Sequence, residues 1–76
     1  MTTKVFRGPF LYGGMNFEFK AVLNNIKNTF MVWNRNSDEI YFVRIIKNKE
    51  NIQKLNTEQT NKILPTFRNY EKNFML

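Results

Sequence analysis

The sequence predicts an α+β fold: a small antiparallel β-sheet of three to five strands in a meander, followed by one or two C-terminal helices packed on one of its faces. Three observations predict it. Residues 16–23 alternate, with Phe17, Phe19, Ala21 and Leu23 at every second position, the period of a half-buried strand. Two runs rich in aromatic and β-branched residues, 29–33 and 40–46, flank the polar cluster 34–39, which is a hairpin pattern. Beyond Lys47 the chain turns polar, with Ile52 and Leu55 spaced as on one helix face. A sheet and a helix that each carry one apolar surface bury it against each other, and 76 residues make a single domain.

The first strand covers residues 3–7, rich in β-formers, and stops at Gly8-Pro9. Phe10-Leu11-Tyr12 is a short apolar piece ending at Gly13-Gly14, either a hairpin or an ordered loop. The second strand covers 16–23, and the Asn-rich stretch 24–28 reads as a turn because Asn tolerates left-handed backbone angles. Phe19, Leu23, Ile26, Phe30 and Trp33 also fall at helical spacing, but the Asn cluster between them and the aromatic and β-branched flanks favour strands. The third and fourth strands cover 29–34 and 39–47. Asn48 is placed to cap a helix over 49–56, and Thr57-Glu58-Gln59-Thr60 to start a second over 57–73. Pro65 breaks or kinks that second run. Thr66 then caps a last short helix that aligns Phe67, Tyr70 and Phe74.

Register sets which side chains share a face. Pairing Trp33 with Ile40 puts Met31, Trp33, Ile40, Phe42 and Arg44 on one face and Phe30, Val32, Tyr41, Val43 and Ile45 on the other. A four-residue turn at 24–27 pairs Ala21 with Phe30 and adds Phe17, Phe19, Ala21 and Leu23 to the second face, giving a wholly apolar core layer. The opposite face then carries Glu18, Lys20, Met31, Trp33, Phe42 and Arg44. A one-residue change in that turn moves every side chain of the second strand to the other partners. In the competing arrangement the C-terminal helices cover Trp33 and Phe42, and Arg44 reaches out past them.

Composition narrows the chemistry. The chain has 12 Lys and Arg, 12 aromatic residues and a net charge of +6, with no His and no Cys. Ser-His-Asp triads, Cys-His dyads and Cys/His zinc sites are therefore excluded. Asp38-Glu39 is the only adjacent carboxylate pair, and it sits in a polar turn. No enzyme, cofactor or metal site is expected. Such a short chain buries only roughly 60% of the surface it exposes when unfolded, so most aromatics are needed for packing. The Gly-bounded segment 7–14 has no Gly-Lys-Ser/Thr and so matches no phosphate loop. The longest clearly apolar run is 30–33, far short of the roughly 20 residues that span a membrane. With that short run and no Cys, the expected location is the cytoplasm, or a host's cytoplasm if the Asn/Lys/Ile bias reflects an AT-rich viral genome.

A basic excess favours polyanion partners, and single strands are bound by rings that stack on bases beside cations that meet phosphates. The leading reading is thus a non-catalytic protein that binds RNA or single-stranded DNA. Trp33 and Phe42 would stack; Lys20, Arg35, Arg44 and Lys47 would meet phosphate. The alternative is a phage-type inhibitor that uses the same surface on a host or defence enzyme, such as a nucleic-acid-processing protein, because Trp, Tyr and Arg dominate protein interfaces. Self-association as a homodimer is a related expectation for a thin sheet with an open edge.

Overall fold

A computed structural model describes residues 3–23 and 27–74. The chain forms a five-stranded antiparallel meander followed by one helix: β1 (Thr3–Tyr12), β2 (Met15–Leu23), β3 (Thr29–Asn34), β4 (Glu39–Ile46), β5 (Lys49–Lys54) and α1 (Thr57–Phe74). The sheet order is the chain order. The α+β expectation holds. Three boundaries differ, and each has a local cause.

β1 is longer than 3–7. It passes through Gly8-Pro9 and includes Phe10-Leu11-Tyr12. The ladder pairs Arg7 with Phe19 and then Phe10 with Phe17, so Gly8 and Pro9 stand opposite the single Glu18. Two residues against one is a β-bulge, a place where an outer strand tolerates a proline that cannot donate to the ladder. Only glycine fits at position 8, since a Cβ there would come within 2.5 Å of the Phe17 carbonyl oxygen.

The segment 49–56 is not a helix. Its residues 49–54 form β5, and Lys47 and Asn48, with φ of 50° and 64°, make the two-residue turn that joins it to β4. Positive φ at both central positions is the turn that matches strand twist, and Asn suits it. The Asn that looks like a helix cap is therefore a hairpin residue. Helix capping falls instead to Asn56, whose Oδ1 accepts the Gln59 N–H at 2.8 Å.

The break at Pro65 and the separate helix after Thr66 do not occur, because α1 runs through both. Pro65 forfeits one backbone hydrogen bond, at a typical cost of ~3 kcal/mol. Ile63, Leu64, Phe67 and Tyr70 pack on the sheet and hold the helix despite it.

The sheet is covered on both faces by different devices. α1 lies on the first face, where Phe67 joins Phe19, Ala21, Trp33 and Ile40 in a buried cluster. The second face carries Phe17, Phe30, Val32 and Val43, packed by Tyr12, Met15, Tyr41 and Ile52. Its cover is the far half of the β1–β2 hairpin. Beyond the bulge this arm folds across β3 and β4 until its tip reaches β5. There the Gly13 N–H donates to Glu50 Oε2 at 2.8 Å, and Gly13, whose φ of 57° favours glycine, packs against Ile52 Cδ1. The bend splits the β2 alternation: Phe17 belongs to the arm side and Phe19 to the helix side.

The register of β3 on β4 is as expected, with Trp33 opposite Ile40. That of β2 on β3 is not. The proposed turn at 24–27 falls mostly outside the described residues, but the ladder beside it decides its effect. Ala21 faces Met31 and Val22 faces Phe30, one residue off the expected pairing. Phe19 and Ala21 therefore join Trp33, and Lys20 moves to the face of Phe30 and Val32. The expected positions of the Leu23 and Phe74 side chains lie outside the described side chains.

Candidate nucleic-acid interface

The first face of β4 is covered progressively less from one end to the other. Ile40 is fully buried beneath α1, Phe42 is partly exposed, Arg44 is exposed and Ile46 is 45% exposed. α1 packs over one end of the sheet, where Ile63, Leu64, Phe67 and Tyr70 meet Phe19, Ala21, Trp33 and Ile40. Leu55 follows β5 directly, its N–H bonded to the Ile40 carbonyl at 2.9 Å, and this starts α1 at that end. The β3–β4 turn holds the other half of the helix there through Arg35–Glu71 at 3.0 Å and Asp38–Arg68 at 2.7 Å.

What remains open is a shallow groove of about 440 Å³ lined by Phe42, Arg44, Ile46, Asn51, Ile52 and Gln53. The β4–β5 register builds it. Phe42 lies opposite Gln53, Arg44 opposite Asn51 and Ile46 opposite Lys49, so each ring or cation has a polar neighbour across the ladder. Among the described residues no carboxylate lines it. Glu50, the one acid on β5, points to the other face, where the arm tip holds it. Among the described residues Arg44, Lys47 and Lys49 form no ion pair, whereas Arg35, Lys54, Lys62 and Arg68 all do. Lys27 and Asn28 sit beside the same rim, since the Asn28 carbonyl accepts the Ile45 N–H at 2.8 Å.

The six residues expected to form one surface are thus divided. Phe42 and Arg44 are together in the groove, with Lys47 in the turn at its end. Trp33 is not available for stacking: it is 1% exposed and packed between Phe19 and Phe67, with ring centroids 5.6 and 5.8 Å away. The helix that covers it takes up its large apolar area, although its indole N–H finds no acceptor among the described residues. Arg35 is engaged with Glu71 at the helix-covered end. Lys20 lies on the opposite face, its ammonium among aromatic rings. Asn51, Gln53 and Lys49 were missed because 49–56 read as a helix, which hides the period-2 placement of these side chains beside Phe42 and Arg44.

No family model, no curated protein and no solved structure matches the chain. Among the described residues no group of three or more His, Cys, Asp or Glu is placed to hold a metal ion, and no helix is long and apolar enough to cross a membrane.

An ionic pair that shifts both of its partners lies elsewhere. Lys54 Nζ lies 2.6 Å from Glu39 Oε2, and the Ser37 and Tyr41 hydroxyls donate to Glu39 Oε1. These bonds, Lys54 foremost, hold the Glu39 carboxyl below its usual range, and Glu39 in turn raises Lys54. The pair fastens β4 to β5 at the helix end and does not enter the groove.

Proposed function

We propose that the protein binds single-stranded nucleic acid, without catalysis, through the open half of the sheet. The observation that carries this reading is the groove's composition: a partly exposed Phe42 beside an Arg44 that, among the described residues, has no ion-pair partner, with Asn51 and Gln53 across the ladder and no carboxylate among the described lining residues. A flat ring accepts a base, an unpaired cation meets its phosphate, and carboxamides hydrogen-bond base edges. Lys47 and Lys49 at the turn, which form no ion pair among the described residues, extend the positive rim, and the net charge of +6 supplies long-range attraction. The lack of His and Cys in the whole chain favours binding over catalysis.

Titration of short RNA and DNA single strands, followed by fluorescence anisotropy at several salt concentrations, tests this. Binding is expected to weaken steeply with salt and to depend on Phe42. If no single strand binds at low salt, while a protein copurifies with the chain through nuclease treatment, the groove serves a protein partner and the nucleic-acid reading fails.

A further inference from the structure

Lys20 sits where the arm leaves the sheet, and its surroundings are unlike those of a surface lysine. Its Nζ lies 4.7 Å from the centre of the Phe10 ring, 4.9 Å from Phe30, and 5.8 Å from both Phe6 and Tyr12. It also donates a hydrogen bond of 3.2 Å to the Tyr12 hydroxyl. Two of these rings, Phe6 and Phe30, belong to the sheet, directly opposite and diagonal to Lys20 on the neighbouring strands. The other two, Phe10 and Tyr12, lie beyond the bulge, on the arm. Tyr12 touches Phe30 as well, at 4.9 Å between ring centres. Rings facing a cation within about 6 Å attract it through their quadrupoles, the more so away from water. No carboxylate among the described residues pairs with this ammonium.

We infer that Phe6, Phe10, Tyr12 and Phe30 form an ammonium-binding aromatic cage whose ligand is the chain's own Lys20, and that this occupancy fastens the arm across the second face of the sheet. The cage closes only when arm and sheet meet, so the ammonium stabilises the folded-over arm selectively. The consequence reaches the groove. The arm tip holds Glu50 on the far face of β5 through Gly13, while Asn51 and Gln53 of the same strand face the groove. Lys20 is thereby a positioning residue for β5.

Two measurements on the intact chain test it. In the NMR spectrum, ring currents from four rings are expected to move the Lys20 ε-methylene protons upfield of those of the other lysines. Lys20→Met keeps the length and apolar stem but removes the charge. Gly13 amide exchange is expected to accelerate about threefold to tenfold, given the typical strength of a partly exposed cation–π contact. Lys20→Ala leaves the cage empty, and tetramethylammonium chloride is then expected to restore Gly13 protection where equimolar sodium chloride does not. Lys20 protons within the range of the other lysines would overturn the inference. So would wild-type Gly13 protection in Lys20→Met, or equal rescue by the sodium salt.

Discussion

Two halves of one sheet face, built from the same hairpin, have opposite fates. Trp33 and Ile40 lie under α1 and are essentially inaccessible; Phe42, Arg44 and Ile46, two to six residues further along β4, are open. Both halves are aromatic and both follow the same alternation. What separates them is the path of one helix, which begins directly after β5 and is pinned by two ion pairs to the β3–β4 turn. In a chain this small, an aromatic surface is not by itself a binding surface: the deciding fact is which part the few available covering elements can reach.

That contrast can be broken by substitution, and the largest effect belongs to the covered half. Trp33→Ala removes a fully buried side chain packed between two rings. A loss of about 3–5 kcal/mol is expected in urea unfolding, enough to unfold much of a marginal domain. Phe42→Ala should behave in the opposite manner. Its unfolding free energy should fall by far less, while single-strand affinity should fall by about 1–3 kcal/mol, the usual worth of one stacked base. A stability loss at Phe42 matching that at Trp33 would erase the distinction between the halves.

Charge gives a finer version of the same contrast. Arg44→Ala should flatten the dependence of log affinity on log salt by about 0.7, the value for one phosphate contact on a single strand. Arg35→Ala should leave that slope alone and cost only about 0.2–1 kcal/mol of stability, since it breaks a partly exposed ion pair with Glu71. The smallest effect concerns Glu39. Its pKa is lowered in the folded state, so its contribution is complete above the carboxylate's unfolded pKa and is lost as pH falls through the folded one. Acid titration of Lys54→Met should therefore show a weaker decline in stability below about pH 4 than wild type, because the partner that lowers Glu39 is gone.

The sheet's centre was legible in the sequence, because a polar six-residue cluster between two apolar runs leaves one sensible pairing, Trp33 with Ile40. Its periphery was not. Ala21 took Met31 rather than Phe30 as its partner, a slip of one residue that carried Lys20 and Trp33 to opposite faces. The period-2 rule makes side-chain facing this sensitive to turn length, and Asn-rich turns carry no signal that fixes the count. β5 was misread because a polar edge strand with a single partly buried Ile52 lacks the apolar alternation that marks a strand. The bulge at Gly8-Pro9 was visible only as a break, although it bends the chain without ending it. Of the candidate site, Phe42, Arg44 and Lys47 could be read from strand alternation and turn position. Asn51, Gln53 and Lys49 could not be, because they depend on β5 existing.

The most direct test of the central claim is a chemical-shift titration of the labelled protein with a short single-stranded oligonucleotide. Concentration-dependent changes are expected at Phe42, Arg44, Ile46, Asn51 and Gln53, with the Trp33 indole N–H unmoved. Changes centred on Trp33 and α1, or no change anywhere at low salt, would contradict the account.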